Sequence, residues 1–385
     1  MADSRDGLYL MSLHEDSSSM RSGVWHIGTI TGIPVKVHIS FVLVFLIFAF
    51  PNIGLDEFWR LFLWDSLFVL LLFSCVLLHE FGHALTARRY GVGTREIVLL
   101  PIGGLAMLEH LPEKPVQELV IALTGPAVNF VIALVLSAYF LFYPVDQLIA
   151  YANRFGPAPI FAHPLLIIPV LMLTNLMLGV FNLIPAFPMD GGRVLRALLA
   201  IRVGRVNATR IATGLGQLFA AGFVALAFYT SSVLVGIIGL FIFFAARREL
   251  KVVRTTDFLK STSFSQIAHL PPLIVLYEEQ TVSDAAEAML QGQDWPILVQ
   301  DGQGSPAGVI EPVQLQPEMV QSNPEAPVRS LMNTQFAVLN ESVSLQAAID
   351  SGARLLLVLH KSDHSPICVL NRASLTRLIA ESSNA

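Results

Sequence analysis

Between Asp65 and Ala87 the chain has the make-up of a membrane span, and inside it stands His79-Glu80-Phe81-Gly82-His83. Ser66 to Leu78 contain no charged residue, which is enough apolar length to cross much of a bilayer. Ionisable groups at that depth are costly and are usually functional. Residues four apart share one face of a helix, so both imidazoles reach a single ion. This is the H-E-x-x-H spacing, in which two histidines hold zinc and the Glu beside the first, about 100° round the helix, serves as general base. Two core histidines satisfied by backbone would leave Glu80 unexplained.

The rest of the chain agrees with that address. Hydrophobic residues make up 54%, charged residues 14%, and the mean hydropathy is +0.63, too apolar for a water-soluble protein of 385 residues. The formal charge of −5 is spread along the chain, so no nucleic-acid partner is expected. Cys75 and Cys368 sit in no metal-type spacing and make no disulfide scaffold. Residues 1–24 read as a polar tail without the basic start and apolar core of a cleavable signal.

Taken in order, Val35-Lys36-Val37-His38-Ile39 alternates like a short strand or turn leading into a first membrane helix that runs to about Pro51. His38, at the mouth of that helix, reads as an amphipathic interface residue before a metal ligand. Asn52 to Trp64 reads as a loop with Trp59 and Trp64 at the interface, and the second helix ends at Arg88-Arg89. Arg95 to Glu109 is broken by Pro101, Gly103 and Gly104, so a short membrane-embedded hairpin is expected there. A third helix runs from about Glu118 to Phe142, and a fourth from near Pro164 to Pro185 and Pro188. Apolar runs over 211–229 and 233–246 bring the expectation to an all-α polytopic domain of six transmembrane helices over 25–250. Arg88, Arg89, Arg193, Arg196, Arg202, Arg205, Arg210, Arg247, Arg248, Lys251 and Arg254 fall at alternate loops on one side, which the positive-inside rule makes cytosolic. A multi-pass protein of a cell (inner) membrane with both termini in the cytosol follows.

Beyond Arg254 the composition changes. Val282 to Met289 leads to Pro296-Ile297-Leu298-Val299, and Val343 to Ile349 leads to Leu355-Leu356-Leu357-Val358. Each reads as a capped helix followed by a buried strand. A soluble α/β region over 255–385, built from two repeats at about 262–318 and 325–382, is the inference.

A zinc hydrolase wants three protein ligands and one open position. His79 and His83 supply two, and Asp190, at a helix end broken by two prolines, is the best-placed third. The bland alternative for Asp190 is a cap on the helix over 191–200. With Gly125-Pro126-Ala127-Val128-Asn129 in the third span and Asn182 to Arg193 ending the fourth, the motifs resemble the site-2 protease family of intramembrane zinc metalloproteases. The tail resembles the pair of CBS (cystathionine-β-synthase-type) modules carried by one branch of that family. The resemblance implies one Zn²⁺ per chain on His79, His83 and Asp190, a water-activating role for Glu80, and help from Asn129 in stabilising the oxyanion. It implies a single-span membrane protein as substrate, cut within or near its span to release a membrane-held regulator, and a homodimer through the CBS-like pair. Gly308 to Gln314 and Ile367 to Ala373 lack the hydroxyl and carboxylate with which such modules hold nucleotides, so no cofactor-binding residues are expected there. The rival readings are a CBS-regulated metal transporter, which has no need of Glu80, and a membrane-anchored zincin cutting juxtamembrane or soluble peptides.

Overall fold

The computed structural model describes residues 23–50, 53–54, 57–110, 112, 114–154, 164–267, 269–291 and 295–383. Two compact units meet in the chain at Val253 and Arg254.

The first unit opens with a hairpin, β1 (Val24–Ile30) and β2 (Ile33–His38), followed by the short apolar helix α1 (Val42–Ala49) and the long α2 (Phe58–Arg89). A second hairpin follows, β3 (Thr94–Leu100) and β4 (Gly103–Leu108). Then come α3 (Pro115–Ser137), α4 (Val145–Arg154), α5 (Pro164–Asn182), α6 (Asp190–Val203), α7 (Arg205–Thr230) and α8 (Val233–Ser261). The expectation of an all-α membrane domain is corrected here, because the two hairpins join in one sheet of order β1-β2-β3-β4. β2 and β3 pair in parallel, Val35 opposite Ile97 and Val37 opposite Leu99. Parallel strands need a long crossover, and α1 with α2 supply it. One face of the sheet, with Ile33, Val35 and Ile97 buried, packs on Phe81 and Ala84 of α2. Lys36 and Glu96 form an ion pair across β2 and β3. The hairpin expected over Arg95 to Glu109 is thus one half of a larger device, held against the helix that bears the histidines.

Trp59 and Trp64, expected in a loop, lie in the opening turns of α2. Apolar periodicity from Phe58 onward lets the helix begin earlier than the charged Asp65 suggested. Among the described residues, four helices are long and apolar enough to cross a membrane: α2, α3 with its extension to Leu141, α5 and α7. Ile39–Ala49 is apolar but shorter. α8 carries its apolar run to Ala246 and continues as a charged helix beyond the expected end. Outward faces present large apolar side chains, with Leu134 72% and Phe228 84% exposed. Inward faces carry small ones, as in the buried series Ala208, Ala212, Gly216 and Ala220 of α7, which lets backbones approach closely.

In the second unit the same plan occurs twice. β5 (Val275–Tyr277), α9 (Val282–Gln291), β6 (Ile297–Gln300) and β7 (Pro306–Ile310) form the first copy, after which comes α10 (Pro317–Ser322). β8 (Ala337–Asn340), α11 (Leu345–Asp350), β9 (Leu355–Leu359) and β10 (Pro366–Asn371) form the second, closed by α12 (Arg372–Ser383). In each the first strand pairs in parallel with the second, and the second pairs antiparallel with the third. The middle strands β6 and β9 are buried on both faces, with period two. Ile297, Val299 and Ile310 face the core of their own copy, while Leu298 and Val309 meet Leu355, Leu357 and Val369 of the other. A capping box opens α9, with the Asp284 carboxylate accepting from the Thr281 N–H at 2.9 Å. The expected repeat limits shift at both ends: Phe264 is buried in the core of the second copy, and Val328 in that of the first. Each leading segment crosses to the neighbouring repeat, an exchange that a linear pattern of helix and strand does not encode.

Candidate metal centre

Helix α2 places His79 and His83 one turn apart, with ring centroids 4.8 Å apart and planes at 82°. Their Nε2 atoms are 3.1 Å apart. Asp190 Oδ2 lies 3.2 Å from His79 Nε2 and 3.1 Å from His83 Nε2. All three residues are buried. Pro185 and Pro188 keep the chain after α5 out of helix, and the backbone between them is pinned by the Phe187 N–H to the Ala212 carbonyl at 3.3 Å. Helix resumes at Asp190, after Met189 at the cap position, with no side-chain cap hydrogen bond. Its carboxylate is therefore directed at the imidazoles, and the capping role weighed for it is not the one it plays.

The donors suit a tetrahedral ion. Zinc bonds of about 2.0–2.1 Å at tetrahedral angles set neighbouring donors about 3.3 Å apart, close to the spacings found. The donor atoms all lie within 4.8 Å of one another. His83 Nδ1 lies 2.7 Å from the Ile121 carbonyl, which only accepts, so Nδ1 carries the proton and the Nε2 lone pair is free for a metal. Gly125 of α3 faces the same point: a Cβ there would strike His83 Nε2 and His79 Nε2. The site is thus a cradle whose floor is a bare glycine Cα. In a dry interior three polar donors at this spacing need a cation or a shared proton.

A buried ion-pair network behind α6 fixes the helix that begins with Asp190. Arg196 donates to Glu118 of α3 at 2.6 Å and to Glu249 of α8 at 2.6 Å, and Arg205 of α7 donates to Glu118 at 2.9 Å. The Arg196 guanidinium also lies 4.9 Å over the Phe187 ring. Arg196 is 1% exposed. Read from sequence, Arg196 counted only as one of the cytosolic-side charges, and Glu118 only as the start of a helix; an acidic residue opening an apolar span was the available signal.

Glu80 does not join the cluster of donors. Its carboxylate accepts from the Ala106 N–H of β4 at 3.1 Å. Asn129 is buried on α3, one turn beyond Gly125, and its Oδ1 has no hydrogen-bond partner among the described residues. The structure brings together His79, His83 and Asp190, and gives Asn129 no hydrogen bond to them. His38 instead caps the turn after β2, its Nδ1 accepting from the Ser40 N–H at 3.1 Å.

Residues 67–227 match the family model described as Peptidase family M50. Over 262 residues the chain is 37% identical to a zinc metalloprotease of Methanocaldococcus jannaschii, covering 68% of this chain and 70% of that one. This chain belongs to peptidase family M50. A solved site-2 protease from Methanocaldococcus jannaschii is 37% identical, covers 59% of this chain and 95% of its own, and superposes with a TM-score of 0.43. The CBS domain of a CBS-domain-containing membrane protein from Sphaerobacter thermophilus is 16% identical over 34% of this chain and 96% of its own, with a TM-score of 0.29. As a member of M50 the protein is a zinc metalloprotease embedded in a membrane, and the donor set described above fits that metal.

Asp190→Ala is expected to lower zinc occupancy, since two imidazoles alone leave the shell short of an anionic oxygen. Asp190→Asn keeps the shape of the side chain and should still impair the metal. Atomic absorption decides the matter: full occupancy in both variants would remove Asp190 from the ligand set.

Proposed function

We propose that the protein cleaves peptide bonds within or near the transmembrane segments of single-span membrane proteins, releasing membrane-held regulators. The observation that carries this reading is the buried His79, His83 and Asp190 cluster, whose histidines stand on a helix long and apolar enough to cross a bilayer. In this reading those three residues hold one zinc per chain. The metal, when bound, supplies a Lewis acid that polarises the scissile carbonyl and eases deprotonation of water. Glu80 takes the proton of the attacking water and returns it to the leaving amine. Asn129, with its amide turned into a dry interior, donates to the developing oxyanion. A helical substrate hides its backbone in internal hydrogen bonds. β4, the edge strand beside α2, offers unwound substrate a strand to pair with.

The one-sided distribution of Arg and Lys supports six crossings with both termini in the cytosol, α1 and the apolar part of α8 completing the four long spans. The duplicated C-terminal unit is read as a CBS-like pair that regulates access to the site and pairs with a second copy. Zinc-loaded protein in vesicles, mixed with membrane-bound transcription regulators of one span, should cut at least one of them. Chelation should stop the reaction and added zinc should restore it. Cleavage that persists in chelator, or intact substrates throughout, would contradict the proposal.

The C-terminal unit contains a cleft of about 590 Å³ lined in part by Trp295, Glu311, Asn371, Ser374 and Arg377. Glu311 is buried there and paired with Arg354 at 2.9 Å. The strand ends there, Gly308 to Gln314 and Ile367 to Ala373, lack the hydroxyl and carboxylate with which CBS-type modules hold nucleotides. Calorimetric titration of the whole chain with ATP and with AMP is expected to show no micromolar binding, and such binding of either would overturn this view of the cleft.

A further inference from the structure

β4 is the last strand of its sheet, so one of its edges has no neighbouring strand among the described residues. In an antiparallel pair, successive N–H groups point alternately to the partner and away from it. The Ala106 N–H donates to Glu80 Oε2 at 3.1 Å, a direction that the β3 backbone excludes on its own side; it therefore points off the free edge. Gly104, two residues earlier and on the same face, lies against the same side chain. A Cβ at Gly104 would meet Glu80 Cγ at 2.5 Å and Cδ and Oε1 at 3.0 Å. The Ala106 side chain packs against the cluster that joins Ile33, Val35 and Ile97 of the sheet to Phe81 and Ala84 of α2, which seats β4 beside the histidine helix. The stem of Glu80 thus rests on a bare Cα, and its tip is tied to one of the outward N–H groups, that of Ala106.

An extended chain that adds to this edge must bring a carbonyl to the outward N–H groups of β4. Each residue has a single backbone donor. We propose that Glu80 is latched to the free edge of β4 through Gly104 and the Ala106 N–H, and that an extended substrate strand competes with it for that donor. The inference rests on the reading above, that Glu80 is the base and that substrate docks at β4. Before substrate binds, the carboxylate is held. A docked strand takes the N–H and frees the carboxylate to receive the proton of the attacking water. A helical segment, whose carbonyls are bonded internally, does not release it. Release of the base is thereby tied to unwinding of the substrate, and Gly104 and Ala106 act as positioning residues.

Amide hydrogen exchange of the zinc-loaded full chain in detergent tests the latch without any cleavage reaction. The Ala106 amide should be protected in the wild type although it lies on a sheet edge. Glu80→Ala should speed its exchange at least tenfold, while Leu105 and Met107, whose N–H groups alternate toward β3, keep their protection. Glu80→Gln retains an acceptor and should keep most of the protection at Ala106. Gly104→Ala leaves Glu80 in the chain but displaces it, and should expose the same amide, which guards against misfolding of Glu80→Ala. Unchanged exchange at Ala106 in both Glu80→Ala and Gly104→Ala, or uniform loss across β3 and β4, would overturn the latch. Because no cleavage is measured, a failed latch leaves the protease reading standing, whereas a failed cleavage assay removes the substrate strand from the proposal and leaves the bond of Glu80 to Ala106 intact.

Discussion

Glu80→Gln is expected to leave zinc bound and to reduce turnover by on the order of 10²-fold or more, the usual contribution of a general base. Glu80 lies outside the cluster formed by His79, His83 and Asp190, so its replacement removes no metal donor. Gln keeps the length of the side chain and an oxygen that accepts from the Ala106 N–H, so β4 should hold its place. What is lost is the capacity to take a proton. The check is a cleavage rate measured beside the zinc content of the same preparation. Near-normal turnover at full zinc would remove Glu80 from the mechanism; loss of zinc along with turnover would make it a structural support of the site.

The second large effect is expected at Gly125, where Gly125→Ala should empty the metal site and bring cleavage to background. The added methyl falls on His83 Nε2 and His79 Nε2, the atoms that face the metal position. Elsewhere in a helix the same change stabilises by about 1 kcal/mol, so helix propensity gives no reason for unfolding. The variant should therefore show helical content like that of the wild type with zinc far below one ion per chain. Full zinc and ordinary turnover in Gly125→Ala would mean that the imidazoles do not converge beneath α3 as described.

Some of this was readable from the sequence, and the reasons differ by residue. His79 and His83 are four apart on one helix, so local geometry alone joins them. Asp190 is more than a hundred positions away; what announced it was a carboxylate between prolines and glycines at the end of an apolar run. The spacing made Glu80 a candidate base but did not show its bond to Ala106, because the packing of β4 against the helix before it is tertiary and leaves no mark in the spacing. The parallel contact of Val35 with Ile97 depends on a crossover through α1 and α2, and alternation within five residues cannot name a partner sixty positions on. For the same reason Arg196 looked like a surface charge, since its partners Glu118 and Glu249 come from two other helices. The repeats of the second unit were visible as apolar strands after capped helices, whereas the exchange of Phe264 and Val328 between them is a matter of packing alone.

If zinc held by His79, His83 and Asp190 hydrolyses peptide bonds at membrane depth, the fragments made from a single-span protein by zinc-loaded chain in vesicles carry the proof. Mass spectrometry should find new termini inside or immediately beside the apolar span, present with zinc and absent in Glu80→Gln. New termini confined to soluble regions remote from the span, or fragments formed equally by Glu80→Gln, would contradict it.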